Sequence, residues 1–334
     1  MTQQDNSSFG SRWSRRSVLG AALGAPFALS ARADDYPSRP PHMIVPFAAG
    51  GPTDVLTRIA AEQVGPRLGQ QVIVESRTGA GGNIAAEYVA RAPADGYTML
   101  VAGQAIVAIN KALYKKIAYA PAADFAFIGM LGVIANVLLV NPEAVPVNSV
   151  AELIAFAKKK PGAISYASNG TGSLTHLTSA MLAHQAGIDL LHVPYQGASQ
   201  LMTDLISGRI GMTFTAASAA LPQVKAGKLR AIAVTTGTRS RFAPDVPTLV
   251  ESGFPSLNAP TWFCAMVRAS TPAPVVAKLR TEYNAVIGSD AYAKALEARS
   301  MEVMLVPPEK SDEFLAKERA LWTEAVKLTG ASVN

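Results

Sequence analysis

The 334-residue chain has a single cysteine, Cys264, so a disulfide within the chain is excluded. Cys264 stands between Phe263 and Ala265 in the apolar run 262–267, with no paired base in view, and reads as a buried thiol rather than a nucleophile. Clustered positive charge is also missing. The one basic run, Lys158-Lys159-Lys160, closes an expected helix, and no Lys/Arg cluster carries interleaved aromatics, which sets nucleic acid aside as a partner. No Gly-Lys-Ser/Thr occurs for a P-loop, and Gly79-Ala80-Gly81-Gly82-Asn83-Ile84 lacks the third glycine of a dinucleotide fingerprint, which disfavours nucleotides. A Gly-x-Ser-x-Gly nucleophile elbow is absent. His176 and His184 are eight residues apart, His192 lies in an expected strand, and no carboxylate completes a ligand set, so no metal site is expected. There is no repeat and no low-complexity tract.

What is present begins with a leader. Ser14-Arg15-Arg16-Ser17-Val18-Leu19 precedes an apolar run to Leu29, and Ala31-Arg32-Ala33 precedes Asp34-Asp35. Positive charge, a short apolar stretch and small residues before a cleavage point are the order of a signal peptide over residues 1–33, cleaved near Ala33. The stretch from Val18 to Leu29 is shorter than the roughly 20 residues of a bilayer span. The paired arginines match the twin-arginine signal, and the rest of the leader fits the general secretory route too. Either route ends in the periplasm or beyond. Cleavage removes Arg12, Arg15, Arg16 and Arg32 with Asp5 from the 30 basic and 24 acidic residues, halving the net charge of +6 to +3.

About 300 remaining residues, half of them apolar, suffice for two cores. Short β-branched runs at 43–47, 72–75, 98–102, 137–140, 164–167, 190–193, 210–215, 229–235 and 263–267 alternate with segments of helical period at 54–68, 83–91, 150–159, 174–186, 200–207 and 221–227. This alternation predicts α/β architecture with mainly parallel sheets and helices on both faces. Two amphipathic helices, 274–287 and 311–328, follow after the alternation has thinned. The expected division is 34–137 for the first part of lobe 1, 138–254 for lobe 2, and 255–334 for the return to lobe 1 with its terminal helices. The chain should cross between lobes near 137–141 and return near 254–262, without long linkers, so the lobes should be hinged.

Three loops between an apolar strand and a helix are rich in glycine and hydroxyl groups: 46–54, 79–83 and 168–176. Such loops present unpaired N–H groups at the positive end of a helix, where an anion binds without a charged side chain. In open α/β sheets the carboxyl ends of the strands are also where ligands sit. A single loop of this kind could be a plain turn, whereas two in different lobes fit a cleft. Tyr195, before a glycine at a strand end, reads either as cleft wall or as packing, and so does Phe47. His176, one turn past Ser173, reads as a loop brace or ligand contact rather than a catalytic base.

Taken together, Tyr36-Pro37-Ser38-Arg39-Pro40, Pro46-Phe47-x-x-Gly50-Gly51-Pro52-Thr53-Asp54, Gly79-Ala80-Gly81-Gly82-Asn83, Asp95-Gly96-Tyr97-Thr98, Tyr166-Ala167-Ser168, Gly172-Ser173-x-x-His176-Leu177, His192-Val193-Pro194-Tyr195-x-Gly197, Asp204-Leu205 and Asp245-Val246-Pro247-Thr248 resemble the Bug family, the periplasmic solute receptors of tripartite tricarboxylate transporters. The resemblance implies a type II periplasmic-binding-protein fold, two α/β lobes with a ligand cleft between them. It implies a monomeric, non-enzymatic protein without cofactor that captures a small organic carboxylate for membrane permease subunits, or signals its presence to a sensor protein. The alternative from another class is a periplasmic hydrolase using Ser173 and His176. Carried onto this chain, the resemblance places ligand contacts at Phe47, Ala48, Gly50, Thr53 and Asn83 on the first lobe and at Ser168, Gly172, Ser173, His176 and Tyr195 on the second. The chain departs from the family pattern at Ser76, Thr78, Ala85 and Thr215-Ala216. The last pair replaces an acidic position that some members use toward an amino-bearing ligand, which implies a plain or aromatic mono- or dicarboxylate.

Overall fold

The computed structural model describes residues 36–333, and the expected leader lies outside them. β1 (His42–Val45) leads through α1 (Pro52–Leu68) to β2 (Ile73–Ser76), and α2 (Asn83–Arg91) leads on to β3 (Thr98–Gly103). A π-helical turn, Ala105–Ile109, continues into α3 (Asn110–Leu113), and β4 (Phe125–Ile134) follows. One residue, Ala135, then separates β4 from β5 (Asn136–Val140). The chain proceeds through α4 (Val150–Lys159), β6 (Ser165–Ser168), α5 (Leu174–Ala186), β7 (Leu191–Pro194), α6 (Ala198–Ile206), β8 (Met212–Ala216), α7 (Ala217–Lys225) and β9 (Arg230–Val234). It ends with β10 (Thr261–Arg268), α8 (Ala273–Ile287), α9 (Asp290–Glu297) and α10 (Ser311–Thr329).

Two five-stranded sheets result, ordered β2-β1-β3-β10-β4 and β7-β6-β8-β5-β9. They share one plan. In each, a first strand lies between the second and the third, and an antiparallel strand is inserted beside the third. β1 pairs in parallel with β2 and β3, and β6 with β7 and β8. β10 runs antiparallel to β3 and β4, and β5 antiparallel to β8 and β9. The sheets are therefore mixed rather than mainly parallel, because the strand on one side of each crossing is the one inserted antiparallel into the sheet it enters. The two sheets with their helices form two α/β lobes.

β4, the turn at 105–109 with α3 after it, and α9 went unanticipated. β4 is a run, Phe125-Ala126-Phe127-Ile128-Gly129-Met130-Leu131-Gly132-Val133-Ile134, that is buried at nearly every position, so it shows no alternation. The turn Ile106-Val107-Ala108-Ile109 is buried all round and lacks the polar face that marks a helix.

The crossing is stitched by side chains. Asn136 donates from Nδ2 to Thr261 Oγ1 at 3.0 Å, and the Thr235 hydroxyl accepts the Asn136 N–H at 3.2 Å. Gln104, buried after β3, donates to Pro260 O and accepts the Trp262 N–H. α8 and α9 cover one face of the first sheet through Leu279, Tyr283, Tyr292 and Leu296. α10 packs on the 105–113 segment and on α5, so Trp322, Ala325 and Val326 share a core with Ile109, Leu113, Leu138 and Leu177.

Glu318 of α10 accepts the indole N–H groups of Trp262 and Trp322 on one oxygen, at 2.8 and 3.0 Å, while burial pushes its carboxyl above the usual range. Glu318→Leu leaves two buried donors without an acceptor and is expected to cost about 1–3 kcal/mol in urea unfolding, whereas Glu318→Gln keeps an acceptor and should cost less than about 1 kcal/mol.

Candidate functional site

β1 and β6 occupy the same place in their sheets, flanked by the second and third strands, and from the carboxyl end of each runs a glycine-rich loop into a helix. This is the switch point at which open α/β sheets take ligands.

In the first loop, α1 starts with Pro52, whose missing N–H costs nothing there, behind Gly51, which offers no side chain as a cap. The end of the helix is consequently left open. The N–H groups of Ala48, Ala49, Thr53 and Asp54 make no hydrogen bond among the described residues. Ala48, Ala49 and Gly50 are exposed, and Phe47 is 37% exposed with its ring edge-on to Phe263. Thr53 is buried, and its hydroxyl takes no partner among the described residues. Gly50 contributes shape rather than a donor. Its φ of +78° suits glycine, and its N–H is held by Asp54 Oδ2 at 2.9 Å. Asp54 is itself buried, and Arg58 Nε donates to the same oxygen at 2.9 Å, which holds the carboxyl below its usual range. Sequence reasoning passed over this clamp, although Gly50, Asp54 and Arg58 are spaced by four, the interval of a helical turn.

The second loop is more structural than expected. Asn83 is buried, and its Oδ1 accepts from Asn110 Nδ2 at 2.7 Å and from the Tyr119 hydroxyl at 2.8 Å. With the oxygen doubly occupied, only Nδ2 remains to donate elsewhere.

The third loop separates the expected ligand groups most. Ser173 caps α5, its Oγ accepting the His176 N–H, and it keeps partial exposure. The N–H groups of Gly170, Thr171, Leu174 and Thr175 make no hydrogen bond among the described residues. The other expected contacts lie behind this surface. Ser168 is fully buried, its hydroxyl placed between Gly170 O at 3.1 Å and His192 Nε2 at 2.7 Å. The Gly172 N–H donates to His176 Nδ1 at 3.1 Å, so it is not available to an anion. His176 is buried as a brace, and its ring nitrogen takes that N–H instead of the Ser173 hydroxyl, an arrangement unlike a nucleophile with its base. Tyr195 is buried in the second-lobe core, and its hydroxyl donates to Asp204 Oδ2 at 2.8 Å, with Arg209 on the other oxygen. Its hydroxyl is thus committed to Asp204 on α6, a buried acceptor that the sequence alone does not reveal.

What the two helix starts share is a set of backbone donors without a partner among the described residues, with no Lys or Arg in 46–54, 79–83 or 168–176. Two cavities lie elsewhere. One of about 750 Å3 runs between α1 and the edge strand β2, lined by Arg58, Glu62 and Gln70 among others, and one of about 480 Å3 lies beside α2, lined by Arg77, Tyr88 and Arg91 among others. Neither contains a residue of the first or third loop, and the open N–H groups mark those loops as the more specific chemistry.

Residues 56–330 match the model of the tripartite tricarboxylate transporter family receptor. The protein BugT of Bordetella pertussis is 34% identical over 318 residues, covering 95% of this chain and 96% of BugT. An R. palustris protein solved with adipate is 34% identical with a TM-score of 0.77, covering 89% of this chain and 99% of its own. MatC from Rhodopseudomonas palustris, solved with bound malate, is 28% identical with a TM-score of 0.72, over 87% of this chain and all of MatC at 100%.

Proposed function

The chain belongs to the tripartite tricarboxylate transporter family of receptors, and on that premise we propose that it is a periplasmic solute receptor that closes its lobes on a small organic carboxylate and releases it unchanged. The observation that carries this reading is the repetition of one device: open N–H groups at the start of α1 and of α5, each beyond the first parallel strand of its own sheet. The N–H groups near Ala48, Ala49 and Thr53, with the Thr53 hydroxyl, hold one carboxylate. Those of Gly170, Thr171 and the first turn of α5, with the Ser173 hydroxyl, meet it when the lobes close. Ligand shifts the hinge equilibrium by binding the closed state better than the open one. Relatives solved with adipate and malate support aliphatic dicarboxylates as first candidates. Thr215 and Ala216, at the end of β8, bring no charge toward an amino group. The recipient is a membrane permease of the tripartite type, with a sensor protein as the other destination, and the genes beside this one distinguish them.

Thermal shift of the chain from residue 34 onward against C3 to C9 mono- and dicarboxylates tests the proposal. An acid at 100 times its Kd stabilises by about 2.7 kcal/mol, and silence toward every acid would sink it. Mass spectrometry of the acid after long incubation should recover it unaltered, and turnover lost in Ser173→Ala would instead favour the hydrolase. Because no cationic side chain sits in the loops, affinity should change by less than about three-fold between roughly 50 and 500 mM salt, measured by calorimetry.

A further inference from the structure

Behind the third loop, three aromatic rings form a stack that anion capture alone does not require. Tyr166 of β6 and His192 of β7 have ring centroids 4.9 Å apart at 23°, and the His192 and His176 rings are 4.0 Å apart at 19°. Each histidine grips one end of the loop. His192 Nε2 meets the hydroxyl of Ser168, where the loop begins, and His176 Nδ1 accepts the N–H of Gly172, where it turns into α5. An imidazole accepts at Nδ1 only while neutral, since the protonated ring donates from both nitrogens.

We propose that His176 is a positioning residue for the ligand: its neutral ring, by accepting the Gly172 N–H, holds Gly170–Ser173 in the shape that presents open amides to the carboxylate, and protonating the ring releases the ligand. This rests on the carboxylate-receptor reading above. The titratable groups facing His176 are His192 from β7 and Tyr166 from β6. No Asp, Glu, Lys or Arg makes a hydrogen bond or ion pair with either stacked imidazole among the described residues. Nothing therefore compensates a positive charge on the ring. Burial, and then the neighbouring His192, push the His176 ring down from 6.5 to about 4, and burial lowers His192 too. In the unfolded chain the ring protonates near its ordinary value, so the stability it contributes is present above that value and is lost as pH falls toward the folded one. The folded ring itself protonates only near its lowered value, so the loop and its affinity weaken as pH falls through about 4.

The test compares wild type, His176→Asn and His176→Leu of the chain from residue 34 onward. Asn can offer its Oδ1 where Nδ1 lies, without titrating, and Leu offers no acceptor. Adipate and malate are the probes, titrated from about pH 7.5 to about pH 3.5. The acids' own protonation is common to all variants, so the ratio of affinities isolates the ring. Near neutral pH, Asn should bind within about two-fold of wild type and Leu about ten-fold weaker, the loss expected of one hydrogen bond. Once pH falls below about 4, where the folded ring protonates, wild type should weaken relative to the Asn variant, by about four-fold at about pH 3.5. The Gly172 amide, followed by NMR without ligand, should be protected from exchange in wild type and Asn but not in Leu. A flat affinity ratio with pH, or a Leu variant that binds like wild type, overturns the proposal while leaving the receptor reading intact. If neither acid binds wild type at neutral pH, the receptor reading fails for these acids and the proposal falls with it.

Discussion

A Gly50→Val protein should fold and yet lose carboxylate binding by more than about 100-fold, a difference of about 2.8 kcal/mol in binding free energy. Gly50 has φ +78°, and a Cβ placed on it meets no atom within 4 Å, so the side chain would occupy space beside the open amides of Ala48, Ala49 and Thr53 instead of displacing protein. The backbone strain of a left-handed valine costs about 1–2 kcal/mol and would not by itself remove a ligand. Gly69→Val is the control. Gly69 has φ +68° with nothing within 4 Å of a Cβ, and it ends α1 rather than preceding it. Equal thermal destabilisation in the two variants with binding lost only in the first assigns the effect to the site. Equal affinity in both would reduce the first loop to a turn.

Gly172→Val should behave in the opposite way, failing in stability before function. A Cβ at Gly172 would lie 2.5 and 2.6 Å from the two Leu113 methyl carbons, and the residue also has φ +78°. Overpacking of about 1–3 kcal/mol and the left-handed strain of about 1–2 kcal/mol sum to a loss of about 2–5 kcal/mol in urea unfolding. Leu113→Ala, placed in the same chain, should recover part of the loss, because the two positions touch. A Gly172→Val protein as stable as wild type would contradict the packing of this loop on α3.

These two glycines look alike in the sequence, each in a strand-to-helix loop rich in small residues. What separates them is Leu113, which belongs to a different element and arrives only through the fold. The same limit explains Tyr195 and Ser168. Their partners, Asp204 and His192, turn them inward, and nothing within the Ser168 or Tyr195 loop announces that. Elements whose polar and apolar residues alternate were legible, as α2 over 83–91 and β6 near 165–168 illustrate. β4 and the turn at 105–109 were not, because a segment buried on all sides carries no period. The glycine loops were legible as loops from composition. Which of their groups remain free is a matter of hydrogen-bond accounting, as Asp54 taking the Gly50 amide and His176 taking the Gly172 amide demonstrate.

The most direct measurement is a crystal structure of the chain from residue 34 onward with the carboxylic acid that stabilises it most. One carboxylate should lie within hydrogen-bond distance of the Ala48, Ala49 or Thr53 amides and the Thr53 hydroxyl, with the lobes closed so that the Gly170 to Thr175 segment faces it. An acid bound instead in the cavity between α1 and β2, or held by side-chain cations away from both loops, would contradict capture by backbone donors in a hinged cleft.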